Sequence, residues 1–236
     1  MTNRIADISQ RQAAIVVGVA VIIMFISAVI PYFLIRPSLI VPGDAATTAN
    51  NIMASEGLFR ISIASELIMF LSELLLALAL YVLLKPVNKS LALLAAWFRV
   101  VHVAILGSNL LNLYVVLQLL SGADYLTVFE PDQLHALVLL FLNAYSYGFN
   151  IQVFSGLHLF VSGYLVFKSG YFPRILGILL VVAGLNYIID TFAFVLLSNY
   201  VYPVVFLALP VVIAENAFFM WLLWKGVRNE IPEMKS

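Results

Sequence analysis

The sequence predicts an all-α, polytopic membrane bundle of six transmembrane helices, with both termini on the cytoplasmic side. Three observations carry that expectation. Of 236 residues, 64% are hydrophobic and only 10% charged, and the mean hydropathy is +1.06. A soluble domain is closer to half apolar and a quarter charged. Six segments reach the roughly 20 apolar residues that a helix needs to cross a bilayer: 13–35, 60–84, 91–119, 148–168, 174–198 and 203–225. With six spans, nine of the twelve basic residues (Arg4, Arg11, Lys85, Lys89, Lys168, Arg174, Lys225, Arg228 and Lys235) fall on one side. That side is then the cytoplasm. A helix satisfies its own backbone hydrogen bonds in lipid, whereas a barrel would show short alternating segments.

The elements follow in order. Arg4 and Arg11 precede the run 13–35, which is longer than a secretory h-region and lacks a small-x-small cleavage site, so it reads as a retained first span. The stretch "VPGDAATTANNIMASEGLFR", 41–60, reads as a short external helix. Asp44 serves as its N-cap, Gly57 closes it, and Ile52 and Met53 face the headgroup layer. Spans two and three form an antiparallel hairpin through the 85–90 turn. The stretch "EPDQLHALVLLFLNAYSYGFN", 130–150, begins a helix at Pro131. Joined to span four it would run ~57 Å at the helical rise, too long for one crossing. A break is therefore expected near Tyr147-Gly148, with Leu134 to Ala144 lying on the surface or re-entering the membrane. Gly156, Gly163, Gly177 and Gly184, paired at seven-residue spacing, mark close helix contact in spans four and five. The whole chain, 1–236, is expected to form a single bundle domain.

Polar residues gather at one depth. Counted from the cytoplasmic ends, Glu73, His102, His158, Asn186, Asp190 and Glu215 fall ~15–24 Å into a core of ~30 Å. Glu66 and Glu73 share one stripe of span two. Arg99, His102 and Asn109 share one stripe of span three. The hairpin register sets Glu73 level with His102 and within reach of Arg99, and Glu66 level with Asn109. Spans five and six pair Asn186 with Glu215. An ionised group at mid-bilayer costs at least ~2.5–3.5 kcal/mol, so these groups must face inward, pair or carry protons. Glu73 is expected to be ionised against Arg99. Glu215, with no cation evident at its level, is expected to be protonated. Asn109, Asn112 and Asn186 read as interhelical hydrogen-bonding residues.

Composition excludes some functions. Net charge is zero, so no basic face for nucleic acid is expected. There are no cysteines, which excludes disulfides, thiolate nucleophiles and cysteine metal sites.

Three stretches, "VPGDAATTANNIMASEGLFR", "LYVLLKPVNKSLALLAAWFRVVH" and "YFPRILGILLVVAGLNYIID", resemble the signature segments of the domain of unknown function 4386 family. The resemblance covers nearly the whole chain. It implies a multi-pass cytoplasmic-membrane protein of bacteria or archaea and carries no catalytic role. The residues themselves leave four functions open. The first is binding or transport of a small ligand, ion or proton through Glu66, Glu73, Arg99, His102, Asn109, His158, Asn186, Asp190 and Glu215. The second is zinc-dependent hydrolysis, with His102, His158 and one of Glu73, Asp190 or Glu215 as ligands, although no HExxH motif is present. The third is haem ligation by His102 and His158. The fourth is a purely structural polar core. Apart from the lipid bilayer, no partner is specified.

Overall fold

The computed structural model describes residues 8–197, 200 and 204–227. Helices account for nearly all of them, and no strand occurs among the described residues. In chain order they are α1 (Gln10–Val29), a π-helical turn (Ile30–Ile35), α2 (Arg36–Leu39), α3 (Ala45–Ala54), α4 (Glu56–Leu84), α5 (Lys89–Asn109) and α6 (Leu111–Leu119). A 3-10 turn (Asp124–Leu126), α7 (Pro131–Phe149), α8 (Val153–Lys168), α9 (Arg174–Leu196) and α10 (Val204–Val227) complete the series. Among the described residues, five helical stretches are long and apolar enough to cross a membrane: Gln10–Leu39, Glu56–Leu84, Lys89–Leu119, Pro131–Lys168 and Arg174–Leu196. α10 is a further apolar helix of 24 residues. α4 exposes a run of large aliphatic side chains, among them Leu67, Leu71, Leu75 and Leu78. Such a surface suits acyl chains rather than water.

Local chemistry sets the helix starts. Ser9 and Gln12 form a reciprocal capping box: the Ser9 N–H donates to Gln12 Oε1 (2.9 Å) and the Gln12 N–H to Ser9 Oγ (3.2 Å). Asn88 Oδ1 accepts from the Leu91 N–H at 3.0 Å and starts α5. Glu130 and Gln133 box the start of α7, with Pro131 in the first turn where its missing N–H costs nothing. Asp44 caps α3, as expected, by accepting from the Thr47 N–H (2.9 Å) and hydroxyl (2.7 Å).

The residues fall into two compact units, each with its own apolar core. Unit one comprises Met1–Ile22, Ser72–His102 and Gln152–Ser236. Its core is built on Ala13, Leu76, Leu83, Leu165, Leu180, Phe218 and Leu222. Phe172 packs edge-on against Phe218 and Trp221. Tyr171, between α8 and α9, donates its hydroxyl to the Leu83 carbonyl at 2.5 Å, filling one of the carbonyls left open where α4 ends. Burial raises the Tyr171 phenol above the ordinary tyrosine range. Unit two comprises Ile23–Leu71 and Val103–Ile151. Its core is built on Ile35, Ile52, Phe59, Phe70, Leu113, Val138 and Leu142, and α7 packs against α3 and α6.

Several expected details change. α3 ends at Ala54, with Ser55 beyond it, and Gly57 lies in the first turn of α4. A closing glycine takes positive φ, and among the described residues only Gly43, Gly122 and Gly170 do so. Ile52 is fully buried in the unit-two core instead of facing headgroups, while Met53 is exposed. Span three is interrupted at Leu110. The break expected near Tyr147-Gly148 falls at 150–152. Gly148 stays helical because Asn109 occupies the space of a side chain: a Cβ there would lie 2.3 Å from Asn109 Oδ1. The Gln152 N–H, freed by the break, donates to Thr191 Oγ1 at 3.0 Å.

The glycine pairing holds in unit one. A Cβ on Gly163 would meet the Gly177 carbonyl oxygen at 2.7 Å, and one on Gly156 would meet that of Gly184 at 2.7 Å. Here α8 and α9 touch backbone to backbone. Gly163→Val is expected to lower stability in detergent by about 1–3 kcal/mol or more. Gly107→Ala, which meets nothing within 4 Å, is expected to leave thermal unfolding unchanged or raise its midpoint. Equal midpoints for the two variants would contradict the close packing.

The two hydrogen bonds from Thr47 hold the Asp44 carboxyl below its ordinary value of 3.8. A depressed folded-state value means that the cap stabilises α3 above the unfolded pKa and is lost as pH falls through the folded one. Amide exchange at Thr47 is therefore expected to accelerate below about pH 4 in the native protein, relative to its intrinsic rate, and to show no such step in Asp44→Asn.

Candidate functional site

Each unit buries one group of charged side chains. In unit two the π-helical turn does the positioning. Pro31 lies in its first turn and Pro37 two residues beyond its end. Pro37 has no N–H to return to the Phe33 carbonyl. The Arg36 N–H instead bonds the Pro31 carbonyl, five residues back. That wide turn sets Tyr32 and Arg36 against α4 and α7. Arg36 grips Glu66 with two donors, Nη2 to Oε2 at 2.5 Å and Nη1 to Oε1 at 3.2 Å. Both Tyr32 and Tyr145 donate their hydroxyls to Glu66 Oε1. Arg36 Nη1 also reaches the Tyr145 hydroxyl at 2.9 Å. The guanidinium carbon lies 4.6 Å from the Tyr145 ring centroid and 5.3 Å from that of Tyr32, within cation–π range.

Glu66 is fully buried, and a carboxylate has about four acceptor sites. Four donors reach it: Arg36 Nη1 and the two phenols on Oε1, and Arg36 Nη2 on Oε2. Both carboxylate oxygens are engaged by neighbours within the unit. The sequence sets Glu66 level with Asn109, but no hydrogen bond joins the two. Instead Asn109 Nδ2 donates to the Tyr145 carbonyl at 2.7 Å, and Asn112 Nδ2 donates to Asn109 Oδ1 at 2.9 Å. Asn109 thus holds the helix that carries Tyr145. A sequence signal for the clasp existed: Tyr32 and Arg36 at i,i+4 between two prolines, facing an acid with no assigned cation.

In unit one, Glu73 on α4 and Arg99 on α5 form the expected pair, with Arg99 Nε 3.3 Å from Glu73 Oε2 and both side chains buried. The contact is an ion pair without hydrogen-bond geometry, and both atoms lack a hydrogen-bond partner. Arg99 Nη1 contacts Ser155 Oγ at 3.4 Å, a long bond. His158 on α8 is buried, and its Nδ1 lies 2.9 Å from the Ala95 carbonyl oxygen. Since a carbonyl only accepts, Nδ1 carries the hydrogen and Nε2 is left as the acceptor. His102 is buried with Nδ1 unpartnered, within electrostatic reach of Arg99 and His158. Half-buried Glu215 on α10 feels both Arg99 and Glu73.

Asp190 on α9 accepts from the Tyr200 hydroxyl at 2.6 Å. Asn186 is half-buried on α9. Among the described residues, no three His, Asp or Glu side chains are grouped as a metal ion requires. His102, His158 and Glu73 therefore do not form the ligand triad considered for zinc.

A family model described as Domain of unknown function (DUF4386) matches residues 16–226. An uncharacterized protein of Archaeoglobus fulgidus is 32% identical over 165 residues, which cover 70% of this chain and 83% of that protein. No solved structure matches.

If the Arg36–Glu66 clasp is structural, breaking one side should cost more than removing both. Arg36→Leu is expected to lose about 3–5 kcal/mol because it strands a buried carboxylate, and Arg36→Leu with Glu66→Leu is expected to recover part of that loss. Thermal unfolding in detergent measures both. A double variant less stable than the single would contradict the assignment.

Proposed function

The chain belongs to the Domain of unknown function (DUF4386) family, and from that premise we propose that it is a bacterial or archaeal cytoplasmic-membrane protein that binds or carries a small ligand or ion together with a proton. Its site is the Glu73–Arg99–His102–His158–Glu215 group. In this reading there are six spans, and both termini face the cytoplasm.

One observation carries the reading: the Glu73–Arg99 pair is buried yet unfinished. Its contacting atoms, and Nδ1 of the neighbouring His102, have no hydrogen-bond partners. Buried polar atoms are normally satisfied, and each unmet one costs on the order of 1–3 kcal/mol. The carboxylate of Glu66 in unit two, by contrast, accepts from four donors. Open hydrogen-bonding capacity around a charged pair is what a ligand, an ion or an exchanging water completes.

Charge counting supplies the proton. Arg99 balances one carboxylate, and two lie within its field. Both acids ionised would leave a net negative charge in a low-dielectric interior, which is costly. The second acid therefore carries a proton, and that role falls to Glu215, since Glu73 makes the direct pair. The imidazoles of His102 and His158 add neutral acceptors beside the acids. A ligand cation replaces the proton at no change in net charge, which links uptake of one to release of the other. The metal and haem alternatives draw no support from any contact of the two histidines.

Purified protein in lipid vesicles carrying an internal pH dye tests this. An imposed gradient of a monovalent cation, sodium or potassium, without ionophore is expected to drive opposite proton movement above that of protein-free vesicles. Glu73→Gln and Glu215→Gln are expected to remove it while folding normally. Wild-type flux equal to that of empty vesicles, or unchanged flux in both variants, would sink the proposal.

A further inference from the structure

A groove of 410 Å³ runs along the hairpin of α4 and α5, on residues the function proposed above does not use. α4 supplies Leu74, Leu78 and Tyr81 to one wall, and α5 supplies Leu93, Trp97 and Val100 to the other. All but the half-buried Tyr81 are exposed. Two small residues, buried Ala77 and half-buried Ala96, also line it and leave room between the walls. Every lining residue belongs to unit one.

Each wall runs into a lysine. On α4, Leu74, Leu78, Tyr81 and Lys85 follow one another at spacings of three or four, which is one face of a helix. The Lys85 N–H still bonds the Tyr81 carbonyl at 2.8 Å, so the helical path reaches that residue. On α5, which begins at Lys89, the residues Lys89, Leu93, Trp97 and Val100 repeat the same spacing. The two lysines thus continue the faces that form the groove, where the hairpin turns. No Asp or Glu occurs from 74 to 123. Among the described residues neither lysine forms a salt bridge.

Depth and charge identify the occupant. At the helical rise, Tyr81 lies ~6 Å and Leu74 ~16 Å inward from Lys85. The groove therefore spans about one leaflet of a ~30 Å hydrocarbon core. Basic residues at the boundary, a tyrosine one turn inward and an apolar channel beyond it match a phospholipid from headgroup to acyl chain. An apolar helix of a partner would fill the channel and leave both lysines unbalanced. A zwitterionic headgroup would set its own cation against them, whereas a net-negative one balances them. The geometry points to a binding site for an anionic phospholipid, with its phosphate at Lys85 and Lys89 and one acyl chain along Leu78, Ala77 and Trp97.

Trp97 reports on the site directly. It lies ~12 Å along α5 from Lys89, the depth of bromine atoms at mid-chain, which quench indole fluorescence on contact. Trp221→Phe with Trp224→Phe leaves it the sole tryptophan of the three. The full chain is reconstituted in mixed phosphatidylglycerol and phosphatidylcholine vesicles, with bromine on one lipid or the other at equal mole fraction. Quenching is expected to give phosphatidylglycerol about fivefold tighter association or more, the contribution of one lysine at the surface. Lys85→Gln with Lys89→Gln is expected to bring that ratio to about one. Lys168→Gln, which removes charge at another turn, is expected to leave it unchanged. A ratio near one before the lysines are replaced overturns the proposal. So does an equal loss in Lys168→Gln, which would mark general surface charge. Trp97 that neither lipid quenches would mean a second copy or another protein fills the groove, and overturns it too. The wild-type chain supplies a reading free of the tryptophan replacements. In detergent, added phosphatidylglycerol is expected to raise its unfolding midpoint more than phosphatidylcholine does, and equal shifts contradict the site.

Discussion

Lipid offers a carboxylate no hydrogen bonds, so the protein must supply every one, and around Glu66 it does. Two guanidinium donors and two phenols converge on that one group. They come from two separated parts of the chain, the π-helical turn with Arg36 and α7, and meet Glu66 on α4. The path of the first helix depends on this demand. Two prolines open the helix by one residue per turn, and the opened turn carries Tyr32 and Arg36 to the acid. Asn109 then holds α7 by its Tyr145 carbonyl, against a glycine that leaves room for the amide. Helix irregularity here follows from charge satisfaction, which accounts for a π-turn in an otherwise regular apolar helix.

The Glu73–Arg99 pair in unit one is the contrast that gives the molecule a functional reading. Sequence alone cannot distinguish the two pairs, since each is an acid on α4 facing an arginine on another helix. The difference lies in completeness. One carboxylate accepts from four donors. The other meets its arginine at 3.3 Å without a hydrogen bond, beside an imidazole nitrogen that has no partner. Membrane proteins keep ionisable groups inside at a cost, and around Glu66 the chain's own donors offset more of it than around Glu73.

Much of the architecture was legible from the sequence. Span positions followed from hydropathy, the Asp44 cap from its place before a helical run, and the α8–α9 contact from glycines seven apart. The Glu73–Arg99 pair followed from counting residues along a tight hairpin, where register is nearly forced. The Arg36–Glu66 clasp was not legible in the same way. Its partners lie 30 and 79 positions apart or more, no short turn fixes their register, and a regular helix would aim Arg36 elsewhere. The π-turn supplies the missing rotation, and nothing in apolar periodicity announces one. Gly148 misled for a related reason: a glycine beside a helix end usually signals a break, whereas here it accommodates Asn109. Ile52 misled because an external helix looks interfacial until its neighbours, here part of a second core, are known.

The central claim is that the acid of unit two is structural and the acid of unit one is not. Glu66→Gln and Glu73→Gln, compared for unfolding stability under the same detergent and pH, test it most directly. Glutamine cannot accept at four sites or balance Arg36, so Glu66→Gln should lose about 3–5 kcal/mol. Glu73 forms no hydrogen bond with Arg99, so Glu73→Gln should lose well under half of that. A Glu73→Gln variant as unstable as Glu66→Gln, or more so, would contradict the account.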